Sequence, residues 1–364
     1  MIYLDNNSTT APDPHLFGAV EDVCRHYYAN PQSPHAMGFA ASEVLKNDRQ
    51  AVANVLGCNP TQVIFTSGGT EANTLALHNF VQNEYEILAL NTEHSSVINW
   101  AEDHIRVLED GTVNLAALEK KLQAAENISV KIVVTMMLAN NETGVLSDPL
   151  HRVPELCKQY GALLHIDAVQ GFGKIDLKPY VKYADTLSIS GHKAHAFKGV
   201  GALYIADPSM FEPVFRGGSH EGGIRPGTQN QIGIHSLGYI ATHIDERDWK
   251  RMRQLRDRLE ANLADISEVN GSKEHRLPNT ANLYFPKIND LDLFIEQLSQ
   301  RELYVSGKSA CNSGMSKVSR VLTNMYGLTS PRLEGSIRLS VSKFTIEKEI
   351  DTAAQIIRDI VQAQ

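Results

Sequence analysis

Apolar runs of strand length alternate with stretches of helical spacing through the first half of the chain. Residues 62–66 and 86–90 read as short strands. Residues 131–138 form a continuous apolar run, the pattern of a strand buried on both faces. Residues 163–167 and 186–190 repeat the pattern, and helical stretches such as 115–125 and 150–160 lie between the runs. This βα alternation predicts a mostly parallel sheet with helices on both faces. After about residue 243 the pattern changes. Residues 245–260 are dense in charge, with Met252, Leu255 and Leu259 as an apolar stripe, and predict a long amphipathic connecting helix whose charges form a solvated face. Short strands at 280–285 and 336–340 follow, then a closing helix with Ile350, Ala353, Ile356, Ile357 and Ile360 at helical spacing. The expected organisation is a large α/β domain over 15–245 and a smaller α+β domain built from 1–14 and 246–364.

Composition narrows the picture. The chain has 364 residues and a formal net charge of -8, which gives no support to direct nucleic-acid binding. No apolar run is long enough for a membrane span, and Met1-Ile2-Tyr3-Leu4-Asp5 lacks the basic start of a signal peptide, so a cytoplasmic protein is expected. Cys24, Cys58, Cys157 and Cys311 are scattered, which suits a reducing compartment and excludes a spaced zinc site.

In an open parallel sheet, ligands sit at the carboxyl ends of the strands. Here those ends carry chemistry. The first run leads into Ser67-Gly68-Gly69-Thr70-Glu71-Ala72-Asn73, where glycines and a following helix suit an anion. The others end near Asn91-Thr92-Glu93-His94, Asn140-Asn141-Glu142-Thr143-Gly144, Asp167-Ala168-Val169-Gln170 and Ser190-Gly191-His192-Lys193. Taken singly, His94 reads as a surface histidine, Asp167 as a helix cap and Lys193 as an exposed lysine. Together they match the needs of pyridoxal 5'-phosphate (PLP): a lysine for its aldehyde, a carboxylate for its ring nitrogen, a helix start for its phosphate and a flat partner for its ring.

These runs resemble the fold-type I, class V aminotransferase family, and within it the cysteine desulfurases of the iron–sulfur and nitrogenase type. Tyr3-Leu4-Asp5-Asn6-Asn7-Ser8-Thr9-Thr10, His165-Ile166-Asp167-Ala168-Val169-Gln170, Arg225-Pro226-Gly227-Thr228, Ser309-Ala310-Cys311 and Ser336-Ile337-Arg338-Leu339-Ser340 extend the likeness over essentially the whole chain. The resemblance implies a PLP-dependent transferase fold with a mostly parallel seven-stranded sheet. It implies that Lys193 bonds the cofactor, Asp167 pairs with the ring nitrogen and His94 stacks on the ring. Gln170 and Asn141 would lie near the phenolic oxygen, and Gly69, Thr70, Ser190 and His192 at the phosphate. Thr228 would reach the phosphate of the other subunit of a homodimer. Arg338, with Asn30 nearby, would clamp the substrate carboxylate, a task suited to a planar guanidinium.

Cys311 separates a desulfurase from a transaminase. Its flanks, Val305-Ser306-Gly307-Lys308-Ser309-Ala310 and Asn312-Ser313-Gly314, suit a mobile, exposed loop, with Lys308 favouring the thiolate. The implied reaction converts L-cysteine to L-alanine and passes the sulfur, carried as a persulfide on Cys311, to an acceptor protein. Ala196-Phe197 stand where the family usually shows Gly-Pro, and Gln229 where glutamate is frequent. The chain stops at Gln364, without the C-terminal extension that housekeeping desulfurases use to dock a scaffold, so the acceptor stays open. The rival readings are selenocysteine lyase, another class V PLP enzyme and a non-catalytic sulfur-relay scaffold.

Overall fold

The computed structural model describes residues 1–307 and 318–364. Cys311 and Lys308 therefore lie outside the described residues, and with them the expected position of the sulfur-carrying loop. Among the described residues twelve strands occur in chain order: β1 (Ile2–Tyr3), β2 (Val63–Thr66), β3 (Tyr85–Leu90), β4 (Asp103–Ile105), β5 (Lys131–Met137), β6 (Leu163–Asp167), β7 (Thr186–Ser190), β8 (Gly201–Ile205), β9 (Glu268–Val269), β10 (Thr280–Tyr284), β11 (Leu303–Tyr304) and β12 (Ser336–Ser340). Seven of them form the central sheet in the order β2-β8-β7-β6-β5-β3-β4. The neighbours from β7 to β4 pair in parallel, and β8 runs antiparallel to both β7 and β2. The mostly parallel seven-stranded sheet is thus present.

Side-chain alternation explains why these strands read as unbroken apolar runs. Leu88, Val134, Ile166 and Leu187 face one core, whereas Ile87, Val133 and Leu203 face another on the opposite side of the sheet. Helix Gly69–Gln82 packs on the second face with Leu75, Ala76 and Phe80. On the first face lie Val52 and Leu56 of helix Ala36–Leu56, which Gly57 ends in the left-handed conformation that lacks a side-chain penalty (φ 70°).

A separate core gathers Met252, Leu255, Leu259, Phe285, Phe294, Ile337, Ile350 and Ile357 with Ile2 and Leu4 from the start of the chain. Two small sheets carry it: β12-β10-β9, antiparallel, and the parallel pair β1-β11. The long amphipathic helix is present as Glu246–Leu263 with Asp245 as its cap, but its charges are not all solvated. Arg256 is buried and donates to Leu277 O (2.7 Å), and Glu260 receives both guanidinium arms of buried Arg276 (2.5 and 2.6 Å). The helix packs under the 276–277 segment, and burying arginine there is tolerable because each fork is filled.

β8 connects sheet to site. A methyl group on Gly201 would lie 2.6 Å from Ile189 O and 2.8 Å from Gly68 Cα, both backbone atoms. Neither side can yield without moving the Gly68 turn. Gly201→Ala should therefore lower unfolding stability by about 1–3 kcal/mol, measured by denaturant titration. An unchanged midpoint would show that the β2-β8-β7 edge is softer than this packing implies.

Candidate active site

The carboxyl ends of β3, β5, β6 and β7, together with the N-terminal segment, enclose a cavity of about 200 Å³. Lys193, Asp167, His94, Gln170, Asn141, Gly69, Thr70, Ser190, His192 and Arg338 all line it. Ten residues expected from the sequence therefore meet at one place.

At one end, Gly69, Thr70, Ser190 and His192 also border a second, more open hollow that continues outward past Ser67 and Gly68. The Ser190 hydroxyl is buried with no partner among the described residues, an unmet group at a site of this chemistry. Gly69 must stay bare, because a methyl group there would meet Val169 Cγ2 at 2.5 Å. The start of helix Gly69–Gln82 completes a setting for a phosphate. His192 donates to or accepts from Thr9 Oγ1 (3.1 Å), and burial, then neighbouring Lys193, bring it down to about 4. It is neutral near pH 7.

At the other end, Asp167 is buried at the tip of β6. Its Oδ1 accepts from Val169 N (3.0 Å) and its Oδ2 from Asn73 Nδ2 (2.9 Å). Asn73 Oδ1 meets His165 Nε2 (3.1 Å), and His165 Nδ1 meets Thr186 Oγ1 (2.8 Å). Asn73 and His165 had no assigned role in the sequence reading. The signal was available: Asn73 follows Gly69 by one helical turn, and His165 precedes Asp167 on the same side of the strand. Behind Asp167, the Glu93 carboxyl is buried and accepts from Met137 N (2.5 Å). Burial first, and the Asp167 charge second, push it well above the ordinary carboxylate range.

His94 caps the short helix Ser95–Ile98. Its Nδ1 accepts from Ser96 N (3.2 Å) and lies 2.8 Å from Ser96 Oγ. Lys193 Nζ donates to Asn7 O (2.6 Å) and Ser8 O (2.7 Å), and Gln170 Nε2 donates to the same Asn7 O (2.9 Å). Arg338 is buried in β12. Its Nη2 pairs with Asp5 Oδ1 (2.5 Å) and donates to Ser8 Oγ (2.6 Å), its Nη1 donates to Asn141 O (2.9 Å), and its buried Nε has no partner among the described residues.

Two expected residues are not brought here. Asn30 is exposed and lines neither cavity; its Oδ1 holds a turn by accepting from Gln32 N (2.9 Å). Thr228 is exposed and also lines neither cavity of its own chain. The two departures at 196–197 and 229 have local explanations. Ala196 is buried and its N–H reaches Gly191 O (3.1 Å), closing the turn behind Lys193 without proline. Gln229 Nε2 donates to Glu221 Oε1 (3.1 Å), a buried carboxylate that a glutamate would repel.

The unmet Ser190 hydroxyl, the bare Gly69 turn, the lysine and the fixed carboxylate fit a PLP molecule lying between the two ends. A class-V aminotransferase family model matches residues 2–352. The chain belongs to that family. This class-V aminotransferase family is PLP-dependent. The chain is 38% identical over its full length to a cysteine desulfurase of Nostoc sp. strain PCC 7120, covering 93% of that protein. A solved NifS-like protein superposes with a TM-score of 0.88 at 30% identity, each chain fully covered. SspA, solved in complex with cysteine, does so with a TM-score of 0.79 at 25% identity, over 95% of this chain and all of that one.

His165 gives the chain a measurable signature. Burial lowers it to about 3 from 6.5, so the unfolded chain binds a proton that the native one refuses. Its contribution to stability is full above about pH 6.5 and is lost as pH falls toward 3, with a slope approaching about 1.4 kcal/mol per pH unit. His165→Gln should flatten the pH dependence of unfolding free energy between pH 6.5 and 4 by up to about that slope. Parallel parent and variant curves would rule out a neutral buried His165.

Proposed function

We propose that this chain is a cysteine desulfurase that converts L-cysteine to L-alanine and carries the sulfur as a persulfide on Cys311. The observation that carries this reading is the gathering of Lys193, Asp167, His94, the Gly69–Ser190 turn and Arg338 around one cavity. It is joined to full-length similarity with cysteine desulfurases.

Lys193 would hold PLP covalently, Asp167 its ring nitrogen, His94 its ring face, and Gly69, Thr70, Ser190 and His192 its phosphate. Gln170 and Asn141 would face its phenolic oxygen. Bound there, PLP supplies an aldehyde for the substrate amine and a sink for the electron pair left at Cα. The protein does the rest. The buried, unpartnered Nε of Arg338 is the free donor for the substrate carboxylate, and Asp5 and Ser8 keep the guanidinium aimed. Lys193 Nζ, held at the cavity wall by two carbonyls, and His94 Nε2 are the groups that move the Cα proton. The Cys311 thiolate attacks the substrate sulfur. A sulfur–sulfur bond forms, the Cβ–sulfur bond breaks, and its electron pair stays on Cβ, which takes a proton to become the methyl of alanine. The persulfide then leaves by exchange with an acceptor thiol.

The same reading includes a cytoplasmic homodimer. Phe17, Tyr28, Met37, Phe39 and Ile232 are exposed on or beside helices Leu16–His26, Ala36–Leu56 and Gln231–Thr242, and such a face favours a second copy of the chain. Thr228 directly precedes the last of these helices, which supports its proposed reach into a partner's phosphate site. The two hydrophobic cores support a division into a large domain, 15–245, and a small one, 1–14 and 246–364. The free thiols of Cys24, Cys58 and Cys157 suit a reducing compartment.

Borohydride reduction of the PLP-loaded protein, followed by peptide mapping, should label Lys193; a label on another lysine would sink the site. Cys311→Ser should keep its cofactor yet release almost no sulfide or alanine from cysteine, and normal turnover by that variant would refute the persulfide route. Arg338→Ala should retain PLP and lose about 2–5 kcal/mol of substrate binding, read as a raised half-saturation for cysteine. An unchanged value would remove Arg338 from the carboxylate site.

A further inference from the structure

A second lysine stands behind the site and has no place in the chemistry given so far. Lys174 lies one turn past Gln170 and is buried. Its Nζ donates to Gln170 Oε1 (2.9 Å) and approaches Asn7 Oδ1 (3.5 Å). Asn7 O, the other oxygen of that residue, accepts from Lys193 Nζ and from Gln170 Nε2. Two lysine nitrogens thus bracket one asparagine, one of them also holding Gln170, and both lysines line a small cavity by the Lys193 turn.

Lys174 has no carboxylate partner among the described residues. The charges that act on it are Lys193, from the turn after β7, and Arg338, from β12, and both are positive. His192 and His195, on the same turn as Lys193, are in their turn disfavoured as cations by Lys174. The small cavity is also lined by His243, Asp245, Asp248 and Lys343, but Lys343 is taken by Asp13 (2.7 Å), and neither aspartate bonds to Lys174. Burying an ammonium without a counter-ion is expensive, and a residue that served packing alone would be better apolar.

We infer that Lys174 is a positioning residue for the Lys193 reaction: its buried ammonium disfavours positive charge on the Lys193 nitrogen and fixes the Gln170 amide. The inference rests on the reading of Lys193 as the lysine that bonds PLP. The hydrogen-bonding half follows from geometry. With Oε1 turned to Lys174, the Gln170 amide can only present Nε2 toward Asn7 and the cavity. The electrostatic half follows from Coulomb's law in a site shielded from water. Two like charges that face the same asparagine raise each other's cost of protonation. Burial first, then Lys193 and Arg338, bring Lys174 itself down to about 7, which agrees with that mutual repulsion. A lysine nitrogen kept short of positive charge is a better nucleophile toward an aldehyde and a better base toward Cα.

The test uses the full-length, PLP-loaded protein and two variants, Lys174→Met and Lys174→Gln. Both remove an unpaired buried charge, so both are expected to fold at least as stably as the parent. The visible absorbance of the cofactor–lysine linkage is titrated against pH in each. Both variants should raise the midpoint by about one to two pH units, because the linkage no longer protonates against a neighbouring cation. Lys174→Gln, which keeps a donor for Gln170, should hold PLP more tightly than Lys174→Met in a fluorescence titration of cofactor affinity. Midpoints that stay within a few tenths of the parent in both variants, or that move in Lys174→Met alone, would overturn the charge effect. Equal PLP affinities in the two variants would overturn the role toward Gln170. Borohydride mapping of the same samples separates the two levels of argument: a label on Lys193 leaves only this inference at stake, whereas a label on Lys174 would overturn the cofactor assignment itself.

Discussion

The site depends on one residue that performs no chemistry. Asn7 uses nearly every hydrogen-bonding group it has. Its N–H donates to Ser340 Oγ (2.9 Å), its Nδ2 to Thr280 Oγ1 (2.9 Å) and Asn141 O (3.3 Å), and its Oδ1 accepts from Asn279 Nδ2 (3.0 Å). Its carbonyl receives Lys193 and Gln170. β12, β10 and the loop after β5 therefore fix Asn7, and Asn7 fixes the lysine. Upstream, Ile2 and Leu4 are buried in the core of the C-terminal sheets, so this segment ties that core to the central sheet across the cavity. Asn7 is 1% exposed, and a buried network of this kind holds one arrangement only when every member is satisfied.

The second organising feature is uneven burial of charge. Asp167 receives two N–H donors, and Arg338 is matched by Asp5. Glu93 and Lys174 receive less than their charges require, and burial moves both toward neutrality. The result is one carboxylate held by two donors at one end of the cavity, with a buried carboxyl and a buried lysine near it whose charges burial disfavours.

Much of this was legible in the chain. The five expected strands of the central sheet are present, each with its ends shifted by one residue or none, because strands covered on both faces must read as apolar runs. β8 escaped, since an antiparallel strand after a turn leaves no βα signature, as did the three-residue β4. Strand-end position and family likeness together led to Lys193, Asp167, His94 and Arg338. What sequence could not supply was partnership. Asn73 and His165 lie inside recognised runs, but only folding turns them toward Asp167. Asp5 and Asn7 lie more than 130 residues from the groups they hold. Asn30 shows the converse: a likeness placed it near Arg338, and local turn geometry keeps it outside.

The described residues that flank 308–317 are bonded to the surroundings of the cavity. On one side, Ser306 and Arg338 exchange backbone bonds (2.6 and 3.2 Å), which holds Ser306 against β12. On the other, Ser319 Oγ donates to the buried Glu142 (2.5 Å), two residues past Asn140, and Arg320 donates to Asn91 O (2.5 Å) and to Glu93 O beside His94. Both approaches to the proposed sulfur carrier are thus bonded to walls of the cavity rather than to the outer surface. Such bonds have few alternatives once formed, since breaking one strands a polar group away from water. Arg320 is the more telling anchor, because a guanidinium donating to two carbonyls of one turn fixes that turn's shape as well as its distance.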